Sequence, residues 1–525
     1  MNVDATPQGC ACCSFNRRRF LAAACAAAAG SEVLQPSTRN AARAAEPAEK
    51  IRIRILYSLH APKQPGPDWP NVGFDFQPVM DRFNKELADK LPNFEFLPAM
   101  ANGPDAAKKI VEQDKSATID GYLVYQMNCW NRVVQTAAGT GKPTLYADFQ
   151  YAGSGGFLVY TAGFLRQKAA NVGFVASSKF EDHTAAVKCF EIVKKGGSAA
   201  DFVAATVKAR QASTAPCGDM ACTQDKLTCL SAQDCLAKMK ESKILAVGGG
   251  WPGIAPKVKE NMGIEVVNVP FKEVNEAWEK ADKDQSRAIA DRWKKAAAKV
   301  EGAQDDAILK AAAMYLAMKD VLAKHGANAI TMNCLGGFYG KHIFAYPCLG
   351  FYELCNEGLI GACECDVRST ASMVAMTALT QGRPGYISDP VIDTASHQII
   401  YAHCVASNRV FGPQGATNKY EILTHSEDRQ GASVRSLLPP GYMTTTVEFG
   451  PDRKQVLFHR AKAVGNSDDD RACRTKLCAV PVGDIEKLFT QWDSWGWHRV
   501  TVYGDLKEPV FALADAMGWK VIEEA

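Results

Sequence analysis

Glu364, Asp389, His403 and His498 are two carboxylates and two imidazoles in the last third of a 525-residue chain. Oxygen and imidazole donors in that mixture suit a divalent ion, Mn²⁺ among the best. They sit in four short strings: Ala362-Cys-Glu-Cys-Asp366, Tyr386-Ile-Ser-Asp389, Tyr401-Ala-His-Cys404 and Trp495-Gly-Trp-His498. None of these is a specific motif by itself, and each residue has a plainer reading. Asp389 precedes Pro390 and would serve to initiate a turn. His403, at a strand end, would serve as a hydrogen-bonded core histidine, and Glu364 as an acid at a helix start. Asp366 either orients the ligand set or caps the helix that follows it.

The elements that must position these side chains are legible around them. Val367 to Leu379 is an apolar run that predicts a helix, and Leu379-Thr-Gln-Gly382 a turn after it. Pro384 to Asp389 and Gln398 to His403 read as strands, as do Tyr442 to Phe449, Lys454 to His459 and Val500 to Tyr503; Pro509 to Gly518 reads as a helix. Upstream the pattern is different. Ile51 to Tyr57 alternates as a half-buried strand, a Pro-rich loop spans Pro62 to Pro70, and Gln77 to Lys90 reads as a helix. Asp120 to Tyr125 and Pro143 to Ala147 are strand-like, with helix between. Alternating strands and helices imply a parallel α/β sheet, whose loops after the strands often hold ligands. Tyr125 to Trp130 is such a loop. A second α/β unit is expected to open at Asn171 to Val175 and to resume at Lys243 to Trp251 and Ile264 to Pro270. Gly248-Gly-Gly250 matches neither nucleotide-binding fingerprint and reads as a tight turn. Val274 to Lys324, rich in Lys, Glu and Ala, predicts two solvent-faced helices.

From about Ala329 onward the order, spacing and flanks of these strings resemble the metal site of the L-fucose and L-arabinose isomerases. Glu364-Cys-Asp366 matches their Glu-x-Asp box, Gln398 to His403 their strand ending in Ala-His, and His498 their late histidine. Two positions depart from that pattern: Cys365 replaces a small residue, and Leu335-Gly-Gly337 stands where relatives carry a polar group. The resemblance implies two Rossmann-like α/β domains followed by a C-terminal domain rich in antiparallel strand. It also implies Mn²⁺ on Glu364, Asp389, His403 and His498, with Glu364 and Asp389 carrying acid–base steps of aldose–ketose isomerisation and Asp366 behind them. Expected boundaries are 1–44, 45–165, 166–328 with a Cys-rich insertion at 213–236, and 329–525. The expected partner is a small carbohydrate, and the expected assembly a homo-oligomer. A non-catalytic carbohydrate binder on the same fold, or an epimerase or lyase of a modified sugar, are the competing functions. His342, His397, His425 and His459 lack any such context, and Arg409, Asn418 and Lys419 read as a solvated loop.

Composition narrows the class. The hydrophobic share is 47%, the charged share 22% and the net charge +3, which leaves no general affinity for nucleic acid or an anionic membrane. No apolar run approaches the ~20 residues of a spanning helix. Asn16-Arg-Arg-Arg-Phe-Leu-Ala22 has the form of a twin-arginine export signal, with a cleavage site at Ala42-Arg-Ala44. Export would place the protein in the periplasm or beyond. Of 18 cysteines, four fall in that segment. Cys217, Cys222, Cys229 and Cys235 then predict two local disulfides rather than a zinc knuckle, because no Cys-x-x-Cys pair is present. Cys473 and Cys478 flank a short basic turn and suggest another link; Cys334, Cys348, Cys355, Cys363, Cys365 and Cys404 read as buried small apolar residues.

Overall fold

The N-terminal sheet is built from five parallel strands in the order Phe94–Ala101, Ile51–Ser58, Gly121–Gln126, Thr144–Asp148, Val172–Val175. The last three are buried along their whole length, as strands covered on both faces must be. The structure, a computed structural model, describes residues 49–250 and 253–525. The strand expected to open a second unit, Val172–Val175, instead completes this first sheet. The helix Ser154–Arg166 is a connection long enough to return the chain alongside for parallel pairing.

A second parallel sheet follows, in the order Ile360–Ala362, Ala329–Met332, Lys243–Val247, Glu265–Val269. Between 271 and 325 lie three helices rather than two: Phe271–Lys280, Lys283–Ala296 and Asp305–His325. The third is not solvent-faced. Its Ile308, Ala311, Met314, Tyr315, Met318, Val321 and Leu322 are buried in the core, an apolar stripe hidden in composition by the charges around it.

The C-terminal part is an antiparallel barrel. Strand order is Met443–Gly450, Arg499–Tyr503, Tyr386–Asp393, Gln398–His403, Thr475–Pro481, Gln455–Asn466, and the first and last of these pair to close the ring. Lys520–Glu523 adds one parallel strand outside. The fold class is therefore mixed α/β with two parallel sheets and a C-terminal antiparallel one. Arg499, Tyr401 and His459 come from alternate strands of this ring and meet inside it. Tyr401 Oη lies 2.6 Å from His459 Nε2, His459 Nδ1 3.1 Å from Glu524 Oε2, and Arg499 donates to both Glu524 oxygens.

The two disulfides expected among Cys217, Cys222, Cys229 and Cys235 are not formed; all four are free thiols. Cys235 sits on the buried face of the helix Ala232–Glu241, against Met239 and the carbonyl of Ala375, so its thiol is used in packing. The segment is pinned by other means: Asp225 pairs with both terminal nitrogens of Arg383, and Thr223 and Leu230 donate their N–H groups to Gly441 and Leu379. Cys473 meets Cys404, not Cys478. The twin-arginine segment lies outside the described residues. Among those described, no helix is long and apolar enough to cross a membrane.

Candidate metal centre

Of the four candidate ligands, two lie on adjacent barrel strands and a third, His498, immediately precedes the next strand, Arg499–Tyr503. Asp389 lies on the central one, Tyr386–Asp393. Its neighbour Gln398–His403 pairs in the register Asp389↔Ala402, and His403, the last residue of that strand, reaches to within 3.6 Å of the Asp389 carboxylate. The other neighbour pairs Ser388↔Arg499, which brings His498 alongside from the opposite flank. Glu364 arrives from elsewhere, on the turn between the strand Ile360–Ala362 and the helix Val367–Leu379. The centre therefore lies where the carboxyl end of a parallel sheet meets the end of the barrel. Glu364 and Cys365 have φ of 63° and 51°. Two successive non-glycine residues in the left-handed region are strained and are kept only where the surroundings impose it.

One donor atom from each of Glu364, Asp389, His403 and His498 lies within 4.8 Å of the others. His403 Nε2 is 3.8 Å from Glu364 Oε1 and 3.6 Å from Asp389 Oδ2. His498 Nε2 is 3.5 Å from Glu364 Oε2 and 3.0 Å from Asp389 Oδ1. Behind them, His498 Nδ1 is 2.8 Å from Asp366 Oδ2. Asp366 also accepts the Ser369 N–H at 3.0 Å and so caps the 367–379 helix. Both roles open to Asp366 in the sequence are filled.

Burial lowers the His403 pKa and keeps that imidazole neutral, the form that ligates. Burial raises the Glu364 carboxyl well above its usual range; His498 opposes this and Asp389 adds to it. Burial alone would lower His498, but Asp389, Glu364 and the Asp366 hydrogen bond raise it far above. Asp366 is held down to about 2, its burial outweighed by His498 and by the Ser369 bonds. Asp389 Oδ1 and both ring nitrogens of His403 are buried without a hydrogen-bond partner among the described residues. Buried polar atoms are rarely left so. Two nitrogen and two oxygen donors that converge, those of His403 and Asp389 lacking a hydrogen-bond partner among the described residues, fit a divalent cation.

A cavity of about 940 Å³ opens onto Glu364, Asp389 and His498, with His403 behind them. Its walls include Asp68, Trp69, Cys129 and Trp130 from the first sheet's loops, and Tyr339, Glu427, Trp495 and Trp497 from later in the chain. Trp130 belongs to the loop that the sequence singled out after a parallel strand. Asp68, Glu427 and Glu448 were not anticipated; lone acids carry no local signal. Arg409 is spent on the Pro413 carbonyl and Asn418 on Ser436 and Lys419, away from the cavity. His459 is part of the barrel network, and His425 is buried against Asp428.

No family model matches the chain. It is 26% identical over 309 residues, 55% of this chain and 66% of the other, to the sulfoquinovose isomerase of Clostridium sp. (strain MSTE9). It is 28% identical over 105 residues, 20% of this chain and 24% of the other, to that of Alkalicoccus urumqiensis. To that of Priestia aryabhattai it is 23% identical over 214 residues, 40% and 47% of the two chains. The chain thus spans less than two thirds of the length of each of these relatives. A solved solute-binding protein of an ABC transporter from Bacillus halodurans, with bound myo-inositol, is 14% identical over 65% of this chain and 92% of its own; the TM-score is 0.20, too slight a likeness to bear on fold or function.

Proposed function

We propose that this chain is an exported, metal-dependent aldose–ketose isomerase acting on a small carbohydrate. The observation that carries the reading is the convergence of Glu364, Asp389, His403 and His498 at the floor of a tryptophan-walled cavity. The likeness to sulfoquinovose isomerases supports it. The reaction moves a proton between neighbouring carbons of an open-chain sugar, and needs a group that takes the proton and returns it. Glu364 suits that work, because burial raises its carboxyl well above the usual carboxylate range and so favours the form that holds a proton. Asp389, 3.0 Å from His498, is a second carboxylate lining the same cavity. Trp130 offers an apolar face for the sugar's C–H side, and Trp497, packed behind it, helps to exclude water. An ion held by the four ligands would supply positive charge where negative charge develops on the substrate oxygens.

The test is metal analysis of the purified mature protein, followed by exchange of substrate C–H hydrogen in D₂O across neutral and sulfonated aldoses. About one manganese per chain and ketose formation are expected. Glu364→Gln and Asp389→Asn should lose both, while His342→Ala keeps both. Equal metal in all three would overturn the assignment. Export rests on Arg17 and Arg18 ahead of Phe20 and Leu21. Changing both arginines to lysine should strand the precursor in the cytoplasm, and unaltered export would refute that route.

A further inference from the structure

Two of the four residues of the centre, Glu364 and His403, have a cysteine next to them in sequence that meets another from a neighbouring segment. Cys363 precedes Glu364 and its thiol is hydrogen-bonded to that of Cys334, whose sulfur also accepts the Glu364 N–H at 3.4 Å. Cys404 follows His403, and its Sγ lies 3.2 Å from Cys473 Sγ. The second pair approaches a covalent geometry. His403 and Thr475 are register partners on antiparallel strands. Cys404 and Cys473 therefore leave the ladder as diagonal neighbours, with the sulfurs roughly 1 Å beyond a disulfide bond length. Both residues are 4% exposed.

The position matters because the two histidines are held differently. His498 is oriented by Asp366, whereas neither ring nitrogen of His403 has a hydrogen-bond partner among the described residues. No polar group behind the ring fixes it, so its placement depends on its backbone. A bond from Cys404 to the strand Thr475–Pro481 would fix that backbone one residue away.

We infer that Cys404 and Cys473 are a disulfide-forming pair, a covalent modification site that secures the His403 ligand segment. The oxidant is a disulfide, either a small molecule or a protein. The thiolate of one cysteine attacks it, forming a mixed disulfide and releasing one thiolate. The thiolate of the other cysteine displaces the second. The Cys404–Cys473 bond is formed, the oxidant's S–S bond is reduced, and the two protons pass to the two released thiolates.

The linkage stands apart from the proposed isomerase activity; its positioning effect rests on the metal centre. Full-length protein loaded with manganese is equilibrated in oxidised or in reduced glutathione, free thiols are alkylated, and peptides are mapped by mass spectrometry. Cys404 and Cys473 should be recovered linked after oxidation, with Cys217, Cys222 and Cys229 alkylated. Manganese release to a chelator should be several-fold slower from the linked form, and Cys473→Ser should release at the faster rate in both buffers. Recovery of Cys404 and Cys473 alkylated, or each linked elsewhere, overturns the pair. A linked form that releases manganese at the reduced rate overturns its role in holding His403.

Discussion

Asp366 divides its carboxylate between two tasks: one oxygen accepts the Ser369 N–H at the start of a helix, the other holds His498 Nδ1 at 2.8 Å. These can be separated, because asparagine also caps helices but carries no charge. Asp366→Asn should weaken manganese binding by about 10- to 100-fold, the usual effect of losing a carboxylate behind a histidine ligand, with little change in melting temperature. Asp366→Ala should show the same binding loss together with about 1 kcal/mol of lost cap stability. Calorimetric titration with manganese and thermal melts of both variants read the two effects independently. Undiminished affinity in Asp366→Asn would mean that His498 is oriented by its backbone alone. At this scale the sequence was legible where residues with the right donors lay beside strand and helix signals, as with Asp389, His403 and Asp366. It was silent on the left-handed turn at Glu364 and Cys365. Nothing in a Cys-Glu-Cys string announces positive φ, which packing against the second sheet imposes.

Strands and helices of the C-terminal part were readable because their apolar alternation is local, but the closure of six strands into a ring was not. Pairing Met443–Gly450 with Gln455–Asn466 is a hairpin any reading would allow; that the same strand also pairs with Arg499–Tyr503 to close the ring depends on tertiary geometry. The interior network is likewise invisible in sequence, since Tyr401 and His459 are 58 residues apart and His459 and Glu524 are 65 apart. Glu524 is buried, which alone would raise its pKa, yet Arg499 and His459 bring it down to about 2. A carboxyl whose folded pKa is depressed gives stability that is present above the unfolded value and lost as pH falls through the folded one. Its contribution should therefore be intact above about pH 4.5 and fade toward pH 2. Glu524→Gln leaves the Arg499 charge buried without its partner and should cost about 3–5 kcal/mol at neutral pH. Urea melts at pH 7 and pH 3 should show the gap between wild type and variant narrowing in acid. A constant gap would assign the loss to packing and not to charge.

The cavity is a property of the whole molecule. Its chemical floor comes from residues 364 to 498, the region where sequence resemblance was strongest, while Asp68, Trp69 and Trp130 close it from the N-terminal sheet. Trp497, the residue before a proposed ligand, is the point of contact: its ring meets Trp69 at 5.0 Å and Trp130 at 5.8 Å, both edge to face. It also lies flat on Gly155, where an added Cβ would stand 2.9 Å from the ring, so that glycine is needed for the close approach. Trp497 is thus committed to packing, whereas Trp130 remains 49% exposed on the cavity wall. A large exposed aromatic ring costs hydration and is most simply explained by a ligand that covers it. Trp130→Ala should raise KM for the sugar by about 10-fold, equivalent to ~1.4 kcal/mol, with kcat and manganese content nearly unchanged, because the ring touches no ligand residue. Gly155→Ala should behave differently, pushing Trp497 and with it His498, so that manganese affinity falls as well. If Trp130→Ala instead lost metal and kept its KM, the wall would be a scaffold for the centre and the sugar would bind elsewhere in the cavity.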